Sequence, residues 1–127
     1  MIGYVTLGSG DIDRSGQFYD AVLGVIGAKR DYSNDSLIVW GTGKGAVLSI
    51  MKPFDGQSAS VGNGVMVALK VETADIVERM HAAAMNNGGT DEGAPGPRGR
   101  SGEYGYFRDP DGNKICAYCP PASGNLS

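Results

Sequence analysis

The chain of 127 residues is poor in the residues that usually announce chemistry: one histidine, two cysteines and one tryptophan. Two cysteines cannot staple a small disulfide scaffold, and the length is enough to bury one core without disulfides or metal. Basic residues are also few, eleven against fourteen acidic ones, giving a formal net charge of -3 and a pI near 5.0. They are scattered rather than clustered, so the electrostatic footprint of a DNA- or RNA-binding protein is missing. No apolar stretch approaches the ~20 residues of a membrane span, and the opening residues show no basic segment followed by an apolar run. These absences lead to the expectation of a cytoplasmic protein with neither nucleic acid nor membrane as partner. Cys116 and Cys119 fall in the alternating run Lys114–Cys119, where a strand would hold them roughly 10 Å apart, beyond the ~7 Å reach of a disulfide. Pro120-Pro121 follows them instead of the helix that a redox CxxC precedes, so both are read as free thiols, consistent with a reducing compartment.

Glycine, by contrast, is abundant, with 21 residues placed mainly between apolar segments. That suits a sheet-rich domain with many tight turns, and the composition favours α+β. A half-length repeat organises it. Gly3-Tyr4-Val5-Thr6-Leu7 is followed by a helical pattern opened by Asp11 and ended at Leu23-Gly24; Val65-Met66-Val67-Ala68-Leu69 is followed by a helix opened by Thr73 and ended at Asn87-Gly88-Gly89. The strand starts lie about 62 residues apart and the helix ends about 64, which implies two modules sharing one fold.

In the first module, residues 2–8 alternate, with Gly3, Val5 and Leu7 on one face and Tyr4 and Thr6 on the other. Ile12, Phe18, Tyr19, Val22, Leu23 and Ile26 recur at helical spacing behind the N-capping Asp11. Strand-like runs at 28–32, 37–40 and 46–51 follow, separated by Ser33-Asn34-Asp35 and by Gly41-Thr42-Gly43-Lys44-Gly45. The glycine-rich piece lacks P-loop spacing and joins two strands, so it reads as a hairpin turn. Residues 53–63 read as a linker. The second module predicts a strand at 65–71, a helix at about 74–87, a glycine- and proline-rich loop at 93–102, and strands near 103–108 and 113–119. Asp109-Pro110-Asp111-Gly112 between the last two is a turn signal, and its aspartates are read as turn formers rather than a catalytic pair. The tail 122–127 is expected to fray. The domain organisation is thus one domain over 1–127, with module 1 at about 1–52 and module 2 at about 64–121.

The opening strand leading into Asp11–Tyr19, the helix end Val22-Leu23-Gly24 and the run Arg108–Ile115 together resemble the vicinal oxygen chelate superfamily, which includes glyoxalase I, extradiol dioxygenases and bleomycin-resistance proteins. The resemblance spans nearly the whole chain and implies two βαβββ modules forming a curved mixed sheet around a pocket. It selects no reaction, because this fold hosts lyases, dioxygenases and non-catalytic binding proteins. Metal enzymes of the superfamily hold their ion with two His and one or two Glu at inward-facing strand positions. The matching positions here are Tyr4, Ser49, Met66 and Cys116, of which only Cys116 is a credible ligand. His81 lies in the helical stretch Glu78–Ala84 and is read as structural. No metal or other cofactor is therefore expected.

Strand alternation sets Tyr4 with Thr6, Val47 with Ser49 and Met51, Met66 with Ala68, and Cys116 with Tyr118, opposite the Val and Ile core set. A cavity so lined suits a small organic molecule, with Tyr for stacking and Met for adaptable packing. The alternative is that these side chains simply fill the space. Arg98, Arg100 and Tyr104, in or beside the 93–102 loop, could fold over the mouth and hold an anionic group, or be solvated loop residues. Trp40 is read as core. The favoured function is a metal-independent small-molecule binding protein with a pocket of Tyr4, Thr6, Ser49, Met66, Cys116, Tyr118, Arg98 and Tyr104. The alternatives are a glyoxalase-like lyase or dioxygenase-related enzyme using Tyr4 or Cys116 in an atypical site, and a scaffolding dimer. A homodimer is what the resemblance implies, since short members pair two subunits so that modules from both build each cavity.

Overall fold

In the computed structural model, which describes residues 1–121, the chain forms two copies of one βαβββ unit. The first comprises β1 (Tyr4–Gly8), α1 (Ile12–Gly24), β2 (Lys29–Ser33), β3 (Leu37–Gly41) and β4 (Val47–Met51); the second, β5 (Val67–Lys70), α2 (Ala74–Asn86), β6 (Thr90–Pro97), β7 (Glu103–Arg108) and β8 (Lys114–Cys119). The expectation of fraying at 122–127 lies outside the described residues. Each unit makes its own four-stranded mixed sheet, ordered β1-β4-β3-β2 and β5-β8-β7-β6, with the first and last strands of each unit parallel. The sheets do not merge into a closed barrel: β1 and β5 are each edge strands.

The helices start where the sequence says they should. Asp11 accepts a hydrogen bond from the backbone N–H of Arg14 (3.0 Å), and Thr73 does the same for Ile76 (3.3 Å), each satisfying one of the unpaired N–H groups of a first turn. Phe18, Tyr19 and Val22 of α1 and Val77, Met80 and Ala84 of α2 are fully buried. They belong to a single apolar cluster that also takes in Ile38, Trp40 and Ile50 of the first sheet and Phe107 and Ile115 of the second. Each such large side chain contributes about 1.5–3 kcal/mol by leaving water. Trp40 is core, as expected; its indole N–H donates to Asp20 on α1, which also receives two 2.9 Å bonds from Arg30. That triad holds the exposed edge strand β2 against α1. Desolvation opposes ionisation of Asp20, but the bonds from Arg30 and Trp40 outweigh it and its pKa is lowered.

One element departs from the expectation. Residues expected as loop within 93–102 form β6 up to Pro97, and only Gly99–Ser101 turn, as a single 3-10 turn. Pro95 and Pro97 are tolerated because β6 is an edge strand, where a missing N–H need not leave a neighbour unpaired. The register slips on both sides of Gly93, and a Cβ built there would lie 2.9 Å from the Tyr106 ring. The glycine that looked like a loop signal is therefore room for an aromatic side chain on the next strand.

Candidate functional site

The modules are joined from behind rather than through their sheets. The main contact between elements of different modules is α1 on α2, and Phe18 of α1 also meets Phe107 of β7 (centroids 6.1 Å apart). Beside it, the β7–β8 turn reaches back across the first module. Asp109, 3 % exposed, accepts from the Tyr19 hydroxyl (2.6 Å), from Asn113 Nδ2 and from the backbone N–H groups of Asp111 and Asn113. Asp111 accepts from Ser15 Oγ (2.6 Å) and the Gly10 N–H (2.9 Å), and Asn113 Nδ2 donates to the Gly8 carbonyl. Burial and the neighbouring Asp109 push the Tyr19 phenol well up, so it stays a donor. The aspartates do form the expected turn, but they also fasten the second module to the first. Spacing could not show this, since the partners lie 90 or more residues away.

This packing leaves one face of each sheet turned away from the helices, and the sequence-predicted residues fall on those faces. In the first, Thr6 is register-paired with Ser49 and their hydroxyls are 2.8 Å apart. Ser49 is buried, whereas Tyr4 is 69 % exposed. In the second, Ala68 is paired with Cys116 and Cys116 with Tyr106, while Lys70 is paired with Tyr118 and Tyr118 with Tyr104. Lys114 is paired with Arg108 on the same face. Met66 precedes β5 and is 42 % exposed. Between the edges of β1 and β5 lies an apolar cleft of about 320 Å³ lined by Ile2, Val5, Val47, Met66, Val67 and Leu69 among others.

Tyr104 and Tyr118 stack with centroids 5.2 Å apart and planes 16° from parallel; Tyr104 and Tyr106 do so at 6.1 Å and 17°. Tyr106 belongs with the predicted Tyr104 and Tyr118. The two-residue alternation Tyr104-Gly105-Tyr106 on β7 is the signal that would have found it. Arg98 lies over the Tyr106 ring at 5.7 Å, but its terminal nitrogens donate to the carbonyls of Ala94, Gly96 and Pro97, so its fork is spent on shaping the end of β6. Arg100 is exposed in the 3-10 turn.

Cys116 is fully buried, and desolvation pushes its thiol up to about 11 despite the opposing charges of Lys114 and Arg98. It is therefore protonated at neutral pH, poorly suited to be a nucleophile. A phenol, a hydroxyl already bonded to Thr6, a thioether and such a thiol are weak partners for a divalent ion. Among the described residues no group of three or more His, Cys, Asp or Glu side chains converges as a metal centre would require. His81 packs edge-on against Phe107 and bonds Asp91 at 2.9 Å. Both thiols are free, and Cys119 donates toward the Glu72 carbonyl. No helix among the described residues is long and apolar enough to cross a membrane.

The order of elements, paired modules and open sheet faces define a glyoxalase-type fold, and comparisons with known proteins agree. Residues 1–117 match the model of the Glyoxalase/Bleomycin resistance protein/Dioxygenase superfamily, and the chain belongs to that superfamily. A glyoxalase/bleomycin resistance protein from Albidiferax ferrireducens is 37% identical, superimposes with a TM-score of 0.88, and is matched over 95% of this chain and 99% of its own. A glyoxalase-related enzyme from Fulvimarina pelagi (23% identity, TM-score 0.78, 100% and 96% covered) and a lactoylglutathione lyase from Agrobacterium tumefaciens (17%, 0.69, 94% and 92%) share the fold. No curated protein sequence matches.

Proposed function

We propose that this protein binds a small organic molecule on the open faces of its sheets, without the divalent metal used by the superfamily's enzymes. The observation that carries this reading is the donor set at Tyr4, Ser49, Met66 and Cys116, where a half-exposed or already bonded group, or a high-pKa thiol, stands in each position. The stacked tyrosines supply what a metal-free site needs instead, a rigid surface for van der Waals and π contact. A second copy of the chain completes the site in this reading. Ile2, Tyr4, Val65 and Met66 are large apolar side chains, all more than 40 % exposed and gathered at the starts of the two edge strands; covering them would bury a patch costly to leave in water. A lyase reading rests on likeness of fold to the Agrobacterium lyase and would require an acid or base that Cys116 does not supply at neutral pH.

The test is metal content, measured by mass spectrometry on protein purified without chelator, with Cys116→Ala alongside. Well under one equivalent of Zn, Ni, Fe or Mn per chain is expected in both. About one per chain in the parent protein overturns the metal-free reading and returns the chain to the lyases or dioxygenases. Sedimentation analysis checks the pairing: a dimer is expected, with Met66→Lys shifting it toward monomer.

A further inference from the structure

We propose that the open face of the second sheet selects a planar aromatic anion, of which an aryl carboxylate is the simplest case. This deepens the small-molecule reading above and rests on it. The inference starts from the register, which lays residues on this face in three rows: Lys70, Tyr118 and Tyr104; Ala68, Cys116 and Tyr106; and Lys114 with Arg108. The first two rows put three phenol rings in nearly parallel planes, a shelf against which a flat ligand buries area without ordering flexible side chains. Opposite them β6 contributes Gly96 and Gly93 at the paired positions, and the space their missing side chains leave is taken by the Arg98 guanidinium, which borders the shelf on that edge.

Charge then distinguishes among flat ligands. Lys70 stands at one end of the shelf and Lys114 at the other, with the Lys114 ammonium 5.5 Å from the Tyr106 centroid and the Arg98 guanidinium 5.7 Å from it. The places a ligand cation would seek over Tyr106 are thus already taken by the protein's own cations. Glu92, a carboxylate that reaches this side, is paired with Arg108, so the two cancel and leave the lysines as the uncompensated charges; Arg108 also donates to the Gly112 carbonyl. Arg98 and Arg108 spend their donors within the protein, whereas Lys70 is exposed and Lys114 half-buried, and no salt bridge holds either among the described residues. In a chain of net charge -3, a face built this way is a local inversion of sign that attracts anions and repels cations. The floor does not cancel it, because the Cys116 thiol between Ala68 and Tyr106 stays uncharged at neutral pH.

The experiment titrates the protein with three probes of one ring system, 2-naphthoate, 2-naphthamide and 2-naphthylmethylammonium, followed by calorimetry and by NMR shifts. Naphthoate is expected to bind most tightly and the ammonium least. Lys70→Gln and Lys114→Gln are each expected to weaken naphthoate by about two- to fivefold, the scale of one partly exposed ion pair, and to leave naphthamide unchanged. Tyr104→Leu is expected to weaken naphthoate and naphthamide alike. Should a lysine variant lose its fold, salt replaces it: raising ionic strength on the parent protein must weaken naphthoate and spare naphthamide. Naphthamide or the ammonium binding as tightly as naphthoate overturns the anion assignment while leaving small-molecule binding intact. Silence from all three probes up to millimolar concentration overturns both.

Discussion

Thr6 and Ser49 meet in the first sheet at the same register position where Ala68 and Cys116 meet in the second, and the neighbouring rows diverge in the same way. Met51 with Leu37, and Ser49 with Val39, occupy in module 1 the positions held in module 2 by Tyr118 with Tyr104, and Cys116 with Tyr106. Apart from Tyr4 at its end, one copy of the unit therefore presents an aliphatic face with a hydroxyl pair, and the other an aromatic and basic face. On the helix side the copies remain alike, each with a side-chain N-cap and a buried apolar stripe on a 13-residue helix. The backbone plan and the core-facing positions were kept where both modules need them, while the open faces, free of packing constraints, took on different chemistry. A second difference lies in the final hairpin turns: Gly41–Gly45 in module 1 connects two strands, whereas Asp109–Gly112 in module 2 also holds its neighbour.

That second asymmetry can be broken with the largest effect. Asp109→Ala removes the acceptor of four hydrogen bonds and strands the buried Tyr19 hydroxyl, while the Asn113 amide keeps only its bond to the Gly8 carbonyl; a loss of about 3–4 kcal/mol is expected in urea unfolding. Tyr19→Phe combined with it should cost less than the sum of the two single changes, since they share one bond. A smaller effect is expected from pH. Burial raises the Asp111 pKa, but bonds from Gly10, Ser15 and Ser9 and the charge of Arg14 lower it more, so the folded-state value lies below the unfolded one. Its contribution is then full above the ordinary carboxylate range, near pH 4, and is lost as pH falls through the folded value. Asp111→Asn should flatten the acid limb of stability against pH below about pH 4.5 and leave the neutral region parallel to the parent. The smallest effect should come from making the first face like the second. The double change Thr6→Ala and Ser49→Cys removes both members of the hydroxyl pair together and is expected to shift stability by no more than about 1 kcal/mol, because neither hydroxyl is left without the other and only the long Ser49 bond to the Val5 carbonyl (3.3 Å) is lost besides.

Much of the fold was legible. Asp11 and Thr73 announce their helices, the repeat announces the second module, and the alternation of Tyr4, Thr6, Ser49, Cys116 and Tyr118 assigns them to the faces where they lie. β6 was not legible, because Gly93, Pro95, Gly96 and Pro97 carry the local signature of a loop. Only the Tyr106 ring on the adjoining strand and the Arg98 guanidinium folded back beside it explain why glycine stands at 93 and 96. The candidate site was legible as a set of residues but not as an arrangement. Sequence alternation gives the side of a sheet and says nothing about how two sheets are joined, and here they stay two separate four-stranded sheets flanking an apolar cleft rather than merging into one. The roles of Asp109 and Asp111 were hidden for a related reason, since a turn motif reports its own backbone and not what its side chains reach.

The joint between the modules also bears on how the chain is made. Tyr19 is translated 90 residues ahead of its partner Asp109, an interval of roughly 5–18 s at ordinary elongation rates. Throughout it α1 can rest on its own sheet and, once residues 74–86 are made, on α2, but the side chains that meet Phe107 and Asp109 stay uncovered. A nascent chain of this design is most vulnerable to association just before its last hairpin emerges, and a pulse of chaperone binding should end when that hairpin does.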